Sequence, residues 1–182
     1  MRLRDPLRTF GIPGTQAEFF ERWLLSPVVR EHERGAIGVA DFAAGMIAEL
    51  GLAMEPAEFI ERFRAWPERL YPETPALLAA IPENIPRVLL SNMNAAHWDR
   101  TDISGALEGL FDRQFLSFQT GLLKPDAAAF RQVLEACAIP AANVLFFDDS
   151  PHNVDAAARL GIEARLCRGP GEALPVIRQL CG

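Results

Sequence analysis

The chain has 182 residues, 49% of them apolar and 23% charged, with a net charge of −6. This length holds one domain, or one domain with an inserted subdomain, and the apolar half is enough for a substantial core. No basic cluster offsets the acidic balance, which excludes nucleic acid as an expected partner. No apolar run approaches the ~20 residues of a membrane span. The opening MRLRDPLRTF lacks the apolar core of a signal peptide. Cys137, Cys167 and Cys181 are an odd set at wide spacings. They suit a reducing cytoplasm and make neither a disulfide framework nor a zinc motif, so packing or surface roles are the simpler reading.

Residues 1–14 read as an irregular lead-in, punctuated by Pro6, Gly11, Pro13 and Gly14. Thr15 and Glu18 have capping-box spacing and open a helix whose apolar face is Phe19, Phe20, Trp23 and Leu24. Ser26-Pro27 starts a second helix that ends near Gly35. A third runs from about Val39 to Leu50, with Phe42, Met46, Ile47 and Leu50 in register. Pro56 opens a fourth, with Phe59, Ile60, Phe63 and Trp66. Four amphipathic helices without a strand signal predict a small helical bundle, taken here as a subdomain over residues 15–70.

Residues 71–182 change pattern. A helix begins at Thr74-Pro75, and Arg87-Val88-Leu89-Leu90 reads as a buried strand ending in Ser91-Asn92. A polar helical stretch at 95–104, a strand at 113–118, a loop at 121–125 and a helix at 126–138 follow. Val144, Leu145, Phe146 and Phe147 form a second unbroken apolar run, read as a strand buried on both faces. It ends in Asp148 and Asp149, and Ser150-Pro151 supplies an N-cap and first turn for the next helix. A short strand at 162–167 and a last helix to Leu180 complete an α/β alternation, which predicts a parallel sheet with helices on both faces.

Three polar groups fall at strand or loop ends, where ligands bind in open α/β sheets. Ser91 and Asn92 offer a hydroxyl, an amide and backbone N–H groups beside a helix start, a natural oxyanion or phosphate cradle. Lys124, a lone cation in Gly121-Leu122-Leu123-Lys124-Pro125-Asp126, is suited to neutralising phosphate charge. Asp148 and Asp149 repel each other unless a cation joins them or one takes up a proton, and Mg²⁺ is the simplest such cation. Taken singly, each has a plain structural reading: a turn and cap, a surface loop, a helix-capping acid pair.

In the order LLSN, GLLKPD, FFDD, the chain resembles motifs II, III and IV of the haloacid-dehalogenase-like (HAD) hydrolase superfamily. The branch it is most similar to contains α-glucose-1-phosphatase-like proteins and the N-terminal phosphatase domain of soluble epoxide hydrolase. The helices of residues 15–66 sit where that branch carries its cap, and EHERG (residues 31–35) looks like part of it. The resemblance implies a Rossmann-like parallel-sheet core with an inserted four-helix cap, and Mg²⁺-dependent hydrolysis of a small phosphorylated metabolite such as a sugar phosphate. It implies that Ser91 and Asn92 bind the phosphoryl group and that Lys124 bridges it to the nucleophile. Asp149 would ligate Mg²⁺ with Asp148 in support, and Asn153 would steady the acidic loop.

The family's first motif, an apolar strand ending in Asp-x-Asp before the cap, has no counterpart in these residues. Asp5 is the one acid upstream of the helices, set between Met-Arg-Leu-Arg and Pro6. Such a strand would carry the nucleophile and lie centrally, between the strands that end at Ser91 and Asp148. Three explanations stay open: a start codon inside a longer reading frame, which is favoured; a degenerate relative kept for binding; and residues 2–10 forced into the strand position, which their charges oppose. Very low phosphatase activity is expected of the chain as written. The alternatives are a non-catalytic metal- or phosphate-binding relative and a haloacid dehalogenase, the latter disfavoured because displacement at carbon has no use for an acidic metal pair. His32, His97 and His152 read as surface or capping residues, and Arg62 and Arg64 as a solvated face.

Overall fold

The computed structural model describes residues 1–181, the side chains of Thr101 and Cys181 excepted; the Cys181 thiol therefore lies outside the described residues. In chain order the elements are β1 (Arg2–Leu3), α1 (Pro6–Phe10), α2 (Gln16–Leu25), α3 (Pro27–Glu33), α4 (Val39–Leu50), α5 (Pro56–Ala65), β2 (Pro67–Arg69) and α6 (Thr74–Ala79). Then come β3 (Val88–Ser91), α7 (Ala95–Trp98), α8 (Thr101–Leu107), β4 (Arg113–Leu116), α9 (Ser117–Thr120) and α10 (Ala127–Cys137). A 3₁₀ turn (Ala141–Asn143), β5 (Leu145–Asp148), α11 (Pro151–Ala158), β6 (Glu163–Leu166) and α12 (Pro170–Cys181) end the chain. They group into two compact units. A helical unit comprises Met1–Leu70, Asn92–Ala106 and Ser117–Gly121, and an α/β unit comprises Tyr71–Ser91, Leu107–Leu116 and the described residues from Leu122 onward.

The helical unit follows local signals closely. Thr15 and Glu18 form the reciprocal capping box at α2, and Pro27 and Pro56 stand in the first turns of α3 and α5. Phe42, Phe59 and Phe63 are fully buried, with Trp23 and Trp66 joining the same aromatic cluster. Phe42 and Phe63 lie 4.7 Å apart between ring centroids and Trp23 and Trp66 4.9 Å. Rings at these separations add roughly 0.5–1.5 kcal/mol per pair beyond their burial.

Three sequence expectations for this unit need correction. Residues 1–14 are not irregular: Asp5 caps α1 through a 2.9 Å bond from Leu7 N–H to its Oδ1, and Phe10 stacks on Phe59 at 5.2 Å inside the core. Arg2–Leu3 pairs antiparallel with Pro67–Arg69, within a stretch that carried no strand signal. Leu24 is 61% exposed and does not share the Phe19 face. His32 and His97 are buried, not on the surface, because each packs its ring against Phe63.

Gly35 explains the end of α3. It has φ +76°, and a Cβ there would lie 2.5 Å from the Phe118 carbonyl oxygen. Nearby, the Ser117 hydroxyl donates to Glu33 O at 2.6 Å. Gly35→Ala is expected to destabilise the chain by about 2 kcal/mol, from left-handed backbone strain plus a backbone clash. Urea unfolding measures this, and a change within experimental error would contradict the close approach.

In the α/β unit, β3 and β4 pair in parallel, with Leu90 opposite Phe115, and β5 and β6 pair in parallel, with Phe146 opposite Ala164. Phe130, Ala156, Ala157 and Ile162 form the buried centre, against which Leu90, Val144 and Phe146 pack. β3 is half-buried throughout, and β5 is half-buried up to Asp148, so neither is enclosed on both faces as its apolar run predicted. The reason lies in the ladders: each strand has one ladder neighbour, and among the described residues no ladder joins β3 to β5. No helix of the described residues is long and apolar enough to cross a membrane.

Candidate active site

The C-terminal ends of β3 and β5 lie within reach of one ammonium group. Leu123 is buried at 1% exposure in the loop before α10, and the Lys124 side chain beside it is also largely enclosed. Its Nζ donates to Leu90 O at 2.9 Å and to Asp148 Oδ2 at 2.6 Å. The ammonium also lies 5.6 Å from the Phe146 ring centroid, on the ring face. The Lys124 and Asp148 side chains are only 10% and 5% exposed. Water contributes little here, so the pair is held by direct charge-assisted bonds.

Both oxygens of Asp148 are engaged. While Oδ2 takes the ammonium, Oδ1 accepts from Ser150 N–H at 2.9 Å and from Asn153 Nδ2 at 2.8 Å. The start of α11 is therefore turned by Asp148. Ser150 occupies the N-cap position, as expected, but its side chain makes no capping bond. Asn153, one turn into α11, holds the carboxylate in place. Asp149, the next residue, is exposed.

Ser91 closes β3, one residue beyond the carbonyl that accepts from Lys124, and is half-buried. The α/β unit thus brings Ser91, Lys124, Asp148, Asp149 and Asn153 to one end of its strands. Asn92 opens the segment that groups with the helical unit. The Leu90 carbonyl is a contributor that sequence reasoning missed. Backbone acceptors carry no side-chain signature, and its role depends on a lysine 34 positions away. His152 is exposed on the first turn of α11. Among the described residues, no cluster of three or more His, Cys, Asp or Glu side chains could hold a metal by itself. A Mg²⁺ ion does not need one, since it commonly takes one or two carboxylates and completes its shell with water and phosphate oxygens. The exposed carboxylate of Asp149 fits that role, and that of Asp148, which accepts three hydrogen bonds on its two oxygens, could support it from the remaining lone pair of Oδ2.

The model of the haloacid dehalogenase-like hydrolases matches residues 16–161. This chain belongs to that family. A 57-residue stretch is 44% identical to drimenol cyclase DrtB of Aspergillus calidoustus, covering 31% of this chain and 11% of that protein. An 80-residue stretch is 32% identical to enolase-phosphatase E1 of Saccharomyces cerevisiae, covering 44% of this chain and 33% of that one. The matches thus span about a tenth and a third of these curated relatives. Among solved structures, the HAD family enzyme BT-2542 of Bacteroides thetaiotaomicron, in complex with magnesium and inorganic phosphate, superposes with a TM-score of 0.70 at 24% identity. That match covers 92% of this chain and 88% of BT-2542. At such identity the likeness establishes a shared HAD-like α/β fold.

Proposed function

We propose that the chain carries the phosphoryl- and metal-binding part of a Mg²⁺-dependent HAD phosphatase site for a small phosphomonoester, such as a sugar phosphate. The observation that carries this reading is the Lys124 ammonium, fixed between Leu90 O and Asp148 beside Ser91, with the Asp149 carboxylate left exposed. An oriented cation at the end of a strand is what a phosphoryl group with developing negative charge requires. The magnesium and phosphate bound by BT-2542, and the phosphatase named among the curated relatives, support the same chemistry.

In this reading Ser91 and Asn92 hold the phosphoryl oxygens, and Lys124 offsets their charge. Asp148, braced by Asn153, keeps Lys124 in position, and Asp149 is the carboxylate that would hold Mg²⁺. Bound there, the ion would supply charge compensation at the phosphoryl oxygens. Residues 15–70 act as the cap that selects the substrate, and residues 71–182 carry the chemistry. The free thiols of Cys137 and Cys167 suit a cytoplasmic setting.

No apolar strand ending in Asp-x-Asp precedes residue 15 of the sequence, and the Asp5 carboxylate is taken up by capping α1. The 182-residue chain is therefore expected to bind inorganic phosphate in a Mg²⁺-dependent way while turning over p-nitrophenyl phosphate at close to background rate. Isothermal titration and a release assay test the two halves separately. Asp149→Asn should abolish the Mg²⁺ dependence of phosphate binding. Phosphate binding indifferent to both Mg²⁺ and Asp149 would sink the site assignment. Robust Mg²⁺-dependent turnover abolished by Asp5→Asn would overturn the expected inactivity.

A further inference from the structure

A groove of about 460 Å³ runs along α5 within the helical unit, lined by Arg4, Ala57, Ile60, Glu61, Arg64 and Arg100. Positions 57, 60, 61 and 64 recur at helical spacing, so α5 turns one face to it. Arg4 is brought to the rim by its backbone: its N–H donates to Trp66 O at 3.0 Å, and its carbonyl accepts from Trp66 Nε1 at 2.9 Å.

The three guanidinium groups are not equivalent. Arg100 is committed, with Nε and Nη2 on the Asp102 carboxylate at 3.0 and 2.6 Å and Nη1 on Arg64 O and Pro67 O at 2.8 and 2.6 Å. Its charge is balanced by Asp102 and its donors tie the end of α5. Arg4 and Arg64 are exposed, and among the described residues neither guanidinium has a hydrogen bond or ion pair. Two uncommitted planar cations thus face an apolar floor of Ala57 and Ile60, opposed by the single acid Glu61. On a chain of net charge −6, this is a local reversal of sign. Guanidinium forks match the paired oxygens of phosphate, sulfonate or carboxylate groups, and apolar side chains accept a carbon body.

We propose that this groove binds a small organic anion, a compact apolar body bearing phosphate, sulfonate or carboxylate groups, held by Arg4 and Arg64 over Ala57 and Ile60. The inference is independent of the phosphatase reading, since no residue of the groove was assigned to the phosphoryl site.

A non-hydrolysable probe separates the two. Naphthalenedisulfonate titrated into the chain should bind saturably, and the uncharged dihydroxynaphthalene should not. Arg4→Gln with Arg64→Gln should weaken probe binding by roughly tenfold or more, while the thermal midpoint stays unchanged because both side chains are exposed. Glu61→Gln should tighten it, and Ser91→Ala should leave it as it was. Inorganic sulfate should compete only weakly, because it has no body for the apolar floor. Absence of saturable binding overturns the proposal, as does equal binding of the diol or indifference to the arginine pair. Loss of binding in Ser91→Ala would assign the probe to the phosphoryl site and overturn the groove while leaving that site standing.

Discussion

Lys124→Met is expected to lower the stability of the chain by about 3–5 kcal/mol, the usual cost of stranding one member of a buried ion pair. The cause is geometric. Asp148 is 5% exposed in its side chain and its Oδ2 would lose a 2.6 Å ammonium contact with little water to replace it. Folded domains are stable by only about 5–15 kcal/mol, so this is a large share. Asp148→Asn should also destabilise, by removing the carboxylate that the buried ammonium contacts at 2.6 Å. The double variant Lys124→Met/Asp148→Asn should recover most of the loss, since an amide can still accept from Ser150 N–H. Urea unfolding of the four proteins forms a double-mutant cycle. A coupling below about 1 kcal/mol, the value of an exposed pair, would show that water reaches the bridge.

The helical unit should lose about 3 kcal/mol as the pH falls from 6.5 to 4, through His97 alone. Burial pushes its pKa down to about 4, against a partial offset from the Phe63 carbonyl and with smaller contributions from the charges of His32 and Arg100. The contacts require a neutral ring. Nε2 faces the Phe63 carbonyl at 2.8 Å and so carries the proton. Nδ1 faces Asn94 Nδ2 at 3.1 Å and so must accept. The orientation of the Asn94 amide is set by its Oδ1, which accepts from His97 N–H at 3.0 Å. A second proton at Nδ1 would therefore meet a donor. The unfolded chain takes up that proton near pH 6.5 and the folded one near pH 4, so between these values the unfolded state binds more protons. Stability is full above that window and is lost as the pH drops through it. Burial lowers the pKa of His32 as well, and its effect has the same sign. Trp23, Trp66 and Trp98 all belong to the helical unit, so tryptophan fluorescence reports on it selectively. Denaturation midpoints recorded between pH 7 and 4 should fall steeply in the parent chain and markedly less in His97→Gln. Parallel slopes in the two proteins would refute the assignment.

These two effects differ in how far the sequence foretold them. Lys124 and Asp148 were both legible as polar groups at the ends of apolar runs, because strand and loop signals are local. Their pairing was not, since nothing in GLLKPD or FFDD states that the first acid turns inward to the lysine and the second outward to solvent. His97, a lone histidine in AAHW, reads by itself as a surface or capping residue. Its burial follows from Phe63, 34 positions earlier, whose carbonyl accepts from the ring. Phe10 was missed for a related reason. Proline and glycine around it imitate a loop, yet Asp5 and Pro6 are a cap and first turn for α1, which delivers Phe10 to the core.

What the sequence determined by itself is the succession of α2 to α5 and of β3, β4, α10, β5, α11, β6 and α12, the caps at Thr15 and Ser26, and the succession of polar groups at strand ends. Each rests on periodicity or on contacts within a few residues, and such preferences survive any tertiary arrangement. What only the tertiary structure decided is the partner of each buried polar group: Lys124 with Leu90 O and Asp148, His97 with Phe63 O and Asn94, and Ser117 with Glu33 O. It also decided that β3 and β5 are half-buried where their apolar runs promised enclosure. Burial is a property of neighbours, and a polar group removed from water must take whichever complementary donor or acceptor the packing brings within about 3 Å.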